Sequence, residues 1–449
     1  MQPSSPAIGF REKLAYGLGD TASNFFFQTF NIFLLYYYTD VFGLSASAVG
    51  TMFLFTRIFD AVTDPLMGVV ADRTQSRWGK FRPYLLWMAV PYGVCGFVMF
   101  LNPDYSPEGK LVYAYLTYSA MMLAYTAINI PYSAMLGVMS GHSEDRTSLS
   151  TYRFVCAFSA AFVIGGFVLP LKNYLGGGND AVGFKYTMAL FAVVSVALFL
   201  YTFRHTRERV PMPPAQHPSL RRDFGDLLGN GPWLILFLAA FLTLANVGLR
   251  NASIIYYFKY SVGDESQFPL FSMVGTLVFI GGALSTKLFT RRFERRSLMI
   301  VLTTVNALAM AAFYFVDPQD IVWLHVLNII GAFAAGPTPA IVWSMYADCA
   351  DYGEWKFGRR STGLVFSAAV FAQKIGIAVG SALLGWLLDF HGFVANAVQT
   401  PRAIHGINLV FSLLPGLFAL LSGLAIFFYR IDEATVKQME RELAARKAA

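Results

Sequence analysis

Residues 48–71 read AVGTMFLFTRIFDAVTDPLMGVVA, a stretch long enough to cross a bilayer that carries Arg57, Asp60 and Asp64 in its middle. Hydrocarbon penalises a charged side chain unless it faces a partner or a cavity, so an acid pair inside a span marks a functional site. The four-residue spacing of Asp60 and Asp64 is about one helical turn. Both carboxylates therefore point the same way, close enough to share one cation or one proton.

The rest of the chain repeats the apolar pattern. It has 449 residues, 56% hydrophobic and 14% charged, with a mean hydropathy of +0.50, which excludes an ordinary soluble domain. Runs of spanning length recur at 14–39, 48–71, 83–102, 111–139, 150–171 and 184–203, and again at 232–260, 268–290, 298–316, 321–347, 362–388 and 405–429. This predicts an all-α membrane protein of twelve transmembrane helices in two sets of six. The halves are 1–203 and 232–430, joined by a polar linker, 204–231, that carries Pro211, Pro213, Pro214 and Pro218. After them the tail, 431–449, reads as about a turn or two of charged helix.

Basic residues set the orientation. Of the 34 Lys and Arg residues, 25 fall in the two ends and the loops on their side and 5 in the opposite loops, while Arg57, Arg153, Arg250 and Lys374 lie within spans. That bias predicts both termini in the cytoplasm of an inner-membrane protein. It also accounts for the net charge of +7 and the pI near 9.2, so no nucleic-acid partner is needed. Arg11 and Lys13 precede a run too long for a signal-peptide core, which stays as an anchor. Cys95, Cys156 and Cys349 show neither pairing nor metal spacing, and no phosphate loop, zinc motif or triad appears. Gly17 and Gly19 open a span rather than follow a strand, which argues against a dinucleotide site. The expectation is no enzyme and no cofactor.

Polar groups sit where lipid would be. Asp20, Asn24, Gln28 and Asn31 share one face of the first span, and lipid cannot satisfy them. The second span adds Arg57, Asp60, Thr63 and Asp64; the fourth adds Tyr125, Thr126, Asn129 and Ser133; Arg153, Asn246, Arg250, Gln373 and Lys374 follow. Arg57 can neutralise one acid but not both. Pro65 has no N–H to give the Ala61 carbonyl, so Asp60, Asp64, Thr63 and Thr126 supply oxygens for a hard cation such as Na+, whereas a proton needs only one carboxylate. Both ions are permitted. The loop with Asp72, Arg73, Arg77, Lys80 and Arg82, and KLFTRRFERR at 287–296, read as ordinary positive-inside charge or as a cytoplasmic gate that pairs with Asp348, Asp351 and Glu354.

KLAYGLGDTASNF, YYYTDVFGLS, RIFDAVTDPLMG, RWGKFRPYLL, NIPYSAM and ADCADYGEWK together resemble the glycoside–pentoside–hexuronide:cation symporters of the major facilitator superfamily, the group that includes melibiose permease. The likeness covers nearly the whole chain. It implies a cation site at Asp60, Asp64 and Thr126, with Thr63 where melibiose permease has an asparagine; of the two ions the proton is preferred. It implies a sugar contact at Arg153 and a charge near both sites at Lys374. The two galactoside-gripping acids of melibiose permease fall on Asn24 and Asn129, and its tryptophans on Ser133 and Pro339. A melibiose carrier is therefore not expected. Asp20, Asn24, Gln28, Asn129, Arg153, Arg250 and Lys374 become the candidate sugar contacts, and Asp72, Arg73, Lys80, Arg82, Asp351 and Glu354 the candidate gate. The expected function is symport of a xyloside or other pentoside with a monovalent cation, by a monomer in the bilayer. The alternatives are a glucuronide symporter and a lipid transporter of the same fold.

Overall fold

The computed structural model describes residues 8–140, 143–210, 225, 227–358 and 362–448. Among these there is no β-strand. The first half runs through α1 (Phe10–Tyr36), α2 (Ala46–Arg73), α3 (Arg82–Trp87), α4 (Ala89–Val98), α5 (Pro107–Met139), α6 (Ser143–Gly176) and α7 (Asp180–His205). The second runs through α8 (Gly231–Tyr256), α9 (Phe268–Thr290), α10 (Arg295–Ala312), α11 (Ile321–Ala335), α12 (Thr338–Phe357), α13 (Thr362–Phe390), α14 (Pro401–Phe411) and α15 (Leu413–Phe427), and ends in a tail helix, α16 (Glu433–Ala448). Two compact units result: one holds the first half and the start of the linker, with residues 266–273 and 395–397, and the other holds the rest.

All twelve predicted spans are helical, three of them in two pieces. α3 gives way to α4 at Met88, α11 to α12 at Gly336 and Pro337, and α14 to α15 at Ser412. Proline explains each break, because it cannot donate to the carbonyl four residues earlier: Pro91 follows Met88, Pro337 and Pro339 flank the second break, and Pro415 follows Ser412. Nine described helical stretches are long and apolar enough to span on hydropathy alone. α1 and α2 fall short because of their polar residues, and the third span because it is divided.

Caps carry several helices past their apolar runs. Ser106, Asn179, Asn230 and Thr400 accept from the backbone N–H three residues on, at 3.2 Å each. α1 and α8 share an ending. Each continues into a π-helical turn, Tyr37–Val41 and Tyr257–Val262, and each closes on a left-handed glycine, Gly43 (φ 84°) and Gly263 (φ 79°). The closing bonds match as well, from Leu44 N–H to Tyr38 O at 2.8 Å and from Asp264 N–H to Phe258 O at 3.0 Å.

Close helix contact in the second half depends on glycine. A Cβ on Gly376 would lie 2.5 Å from the Phe241 carbonyl oxygen, and one on Gly248 2.5 Å from that of Ile377, so α8 and α13 meet backbone to backbone. The tail differs from its expected turn or two. α16 has 16 residues, and Met439, only 1% exposed, joins the core cluster that holds Trp233, Met345 and Tyr429. Val436, Met439 and Leu443 recur at helical spacing and supply its apolar face, while Glu442 accepts from Trp355 Nε1 at 2.6 Å.

The start of the predicted linker is part of the first half. Glu208 accepts from the backbone N–H groups of Lys80, Phe81 and Arg82 at 2.7–2.8 Å, which caps α3. Arg209 forks onto Glu12 with two bonds of 2.7 Å, and that bond holds its guanidinium above its ordinary pKa. The N–H groups of Arg209 and Val210 share the Val138 carbonyl. Pro211, Pro213, Pro214 and Pro218 lie outside the described residues. Glu208→Ala strips three N–H groups of their acceptor and should lower stability by about 1–3 kcal/mol; an unchanged melting temperature of the purified protein would show that water replaces the carboxylate without loss.

Candidate functional site

The polar face of α1 meets α5 and α6 within the first half. Two glycines permit the approach: a Cβ on Gly17 would sit 2.8 Å from the Tyr152 carbonyl oxygen, and one on Gly19 2.5 Å from the Tyr132 ring. The Gly-x-Gly of the sequence is thus a packing device. It brings Asp20 to Arg153 of α6, which forks onto both carboxylate oxygens, Nε to Oδ2 at 2.6 Å and Nη2 to Oδ1 at 3.2 Å. Such bidentate, charge-assisted contacts are the strong ones.

Aromatic rings enclose this pair. The Arg153 guanidinium lies 4.8 Å from the Tyr132 ring centre and 5.6 Å from that of Tyr16. The two tyrosines clasp α1 to α5, each hydroxyl donating to the other's backbone carbonyl. Arg153 also reaches the Ser133 hydroxyl at 3.5 Å. Tyr16 and Tyr132 were not among the expected site residues. In a chain with 23 tyrosines nothing in their spacing sets them apart, although both lie in motifs that carry the family resemblance.

Along the same face, Asn24 donates to the Asp20 backbone carbonyl at 2.9 Å and accepts from Gln28 Nε2 at 3.4 Å. Asn129 of α5 has a buried Oδ1 with no hydrogen-bond partner among the described residues. Unsatisfied acceptors are rare inside proteins. Asp20, Asn24, Gln28, Asn129 and Arg153 thus belong to one region of the first half. Arg250 and Lys374 lie in the other unit.

The acids of α2 have different partners. Asp60, 1% exposed, accepts from Arg57 at 3.4 Å, the arginine being itself 7% exposed. Asp64 accepts from the Thr126 hydroxyl of α5 at 2.9 Å. The helix continues through Pro65. Thr63 turns its hydroxyl onto the Asp60 backbone carbonyl at 3.4 Å. Among the described residues no three His, Cys, Asp or Glu side chains gather as a metal site, so an ion here would depend on hydroxyl and carbonyl oxygens beside the carboxylates.

In the second half, Arg250 has a specific task. Its Nη1 donates to the Phe411 carbonyl at 2.8 Å, the very group left without a helical donor by Pro415, and its guanidinium lies over Phe411 and Phe313 at 4.3 and 4.5 Å. Lys374 is half-buried on α13. Of the candidate gate, Asp72 pairs with Lys80 at 3.1 Å, and Arg82 donates to the Phe203 carbonyl. Arg73 ends α2, and Asp351 and Glu354 are half-buried on α12, where their neighbour Asp348 pairs with Arg295 at 2.9 Å.

Comparison with known proteins places this architecture. The family described as MFS/sugar transport protein matches residues 15–433. The chain belongs to that family. An inner membrane symporter of Escherichia coli is 35% identical over 449 residues, 99% of this chain and 96% of its own length. The isoprimeverose transporter of Lactiplantibacillus pentosus is 32% identical, covering 96% and 91%, and a glucuronide carrier protein homolog of E. coli 33%, covering 98% and 96%. Among solved structures, a D-xylose-proton symporter matches with a TM-score of 0.67 at 15% identity over 94% of this chain and 97% of its own, a likeness of fold alone. The resemblance read from the six motifs therefore holds, as does the major facilitator fold. The family is one of transport proteins, not enzymes.

Asp20 and Arg153 should act as a unit. The charge-removing variants Asp20→Asn and Arg153→Gln should each be less stable than additivity with the double variant allows, with a coupling of about 1–3 kcal/mol in a double-mutant cycle on thermal unfolding. Strict additivity would show the two groups to be independent.

Proposed function

We propose that the chain is a monomeric, cation-coupled sugar symporter of the cytoplasmic membrane, with both termini in the cytoplasm, and that its sugar is a neutral xyloside or other pentoside. One observation carries the choice of sugar: the arginines suited to grip a uronate are already engaged, Arg153 by Asp20 and Arg250 by the Phe411 carbonyl. What remains on the α1–α5 face is amide, Asn24, Gln28 and Asn129, suited to hydroxyl groups. Isoprimeverose is the cargo named for one relative. The glucuronide reading rests on another relative's name and would need Lys374 to hold the carboxylate.

For the coupling ion we favour the proton. A hard metal ion wants several oxygens around it. With Asp60 on Arg57 and the Thr63 hydroxyl on its own helix, Asp64 and Thr126 form a smaller site, enough for one proton. With Asp60 balanced by Arg57, an unprotonated Asp64 resists enclosure as the two repeats rock in alternating access, and a bound proton removes that obstacle. One charge moving inward gains about 2.3 kcal/mol per 100 mV. At about 1.4 kcal/mol per decade that supports roughly a fifty-fold sugar gradient.

Two measurements test this reading. Asp64→Asn should abolish gradient-driven accumulation in vesicles and keep sugar exchange; full active uptake by that variant removes Asp64 from the coupling site. In counterflow with a panel of xylosides, glucuronides and galactosides, with and without sodium, xylosides should exchange best, independently of sodium. Better glucuronide exchange would overturn the choice of sugar, and a sodium requirement the choice of ion.

A further inference from the structure

Residues 391–400, between α13 and α14, form an arm with its own stiffening bonds. Gly392 (φ 77°) turns the chain out of α13, and the Phe393 N–H closes that helix on the Leu388 carbonyl at 3.0 Å. The Gln399 side chain bridges the arm, donating to the Val394 carbonyl at 2.6 Å and accepting from the Val394 N–H at 3.3 Å. Arg402 ties the start of α14 to the Phe390 carbonyl at 2.9 Å. Asn396 stands at the tip of this arm.

Among the described residues Asn396 is the one non-glycine with a left-handed backbone, at φ 58°. Glycine takes that conformation more cheaply, as Gly392 does, so the turn alone does not call for asparagine. The side chain supplies the reason: Nδ2 donates to the Asp40 carbonyl at 2.6 Å. Asp40 lies in the π-helical turn that ends α1, where the Leu44 N–H, its donor in an unbroken α-helix, has gone to Tyr38 instead. Residues 395–397 accordingly belong to the first unit, although α13 and α14 are parts of the second. Three residues before the tip, Phe393 stands edge-on to Tyr256 and Tyr260 at 5.3 and 5.2 Å. Tyr260 belongs to the matching π-helical turn that ends α8.

An arm seated by an aromatic ring on one π-helical turn and by a single amide bond on the other is built to let go at the amide. Such turns are rare and frequently mark functional sites. Asn396 is exposed, so water can take over its bond at little cost. Counted along the spans, α1, α8 and α13 are the first, seventh and eleventh, so all three end on the side opposite the N-terminus. We propose that the arm is a latch on that side of the membrane: Asn396 holds the π-helical turn of α1 while the side is closed and releases it when the side opens. The latch rests on the transport reading above, in which the two repeats rock.

The test is hydrogen exchange of the purified full-length protein, read by mass spectrometry, in Asn396→Gly, which keeps the backbone turn and removes only the amide. Exchange in 37–44 and 257–264 should rise roughly fivefold, the worth of one hydrogen bond. Exchange at the ends on the side of the termini, 76–84 and 348–357, should fall, because the population shifts toward the state closed there. That opposite response separates a latch from a local contact. Asn396→Asp, which keeps the shape and loses the donor, should do at least as much. A rise confined to 37–44 and the arm, or no change, overturns the proposal. Sugar counterflow by the native chain judges the transport reading separately: the opposite response without sugar exchange removes that reading and keeps the latch, and sugar exchange without the opposite response removes the latch alone.

Discussion

The fork between Asp20 and Arg153 settles a problem that the bilayer imposes on the whole first half. Neither charge could be placed there alone, since removal of one partner leaves the other uncompensated in a poorly solvating interior. Their contact at 2.6 Å needs α1 and α6 close together, which the small residues at Gly17 and Gly19 permit, and needs Tyr16 and Tyr132 to wall off the guanidinium. Helix packing and polar satisfaction are thus one requirement here. The amides of Asn24 and Gln28 extend the same chain of contacts one turn further along α1.

The two halves use their intramembrane charges differently. In the first, Arg153 pairs with Asp20 and Arg57 with Asp60, and the hydropathy of α1 and α2 falls with these charges. In the second, Arg250 repairs backbone: Pro415 deprives a carbonyl of its donor and the arginine supplies one, stacked on the rings of Phe411 and Phe313. A side chain that looks in sequence like a ligand contact is instead what lets the last span bend.

Twelve spans were legible because each is a long apolar run, and the α1 face because its polar residues recur at three and four. The division of three spans was less so, as proline alone does not decide whether a helix bends or breaks: α2 passes Pro65 intact while α14 stops before Pro415. Within the site, spacing placed Asp60 and Asp64 on one side of α2. It did not reveal that Arg57 takes one and Thr126 the other, which depends on how α5 lies against α2. Glu208 was invisible for a similar reason. A lone acid in a polar linker looks solvated, and its three N–H partners lie far away in sequence. The tail was misjudged because its charges outnumber the three apolar residues that dock it.

That docking bears on how the protein is made. Chains fold during synthesis from the N-terminal side, domain by domain, and the first half has all of its own helices once α7 has emerged. The second half does not: Met439 belongs to the same cluster as Trp233, at the opposite end of that half. The core of the second half therefore stays open until the tail helix α16 has been made, and its first helix, α8, must wait for that partner from early in synthesis.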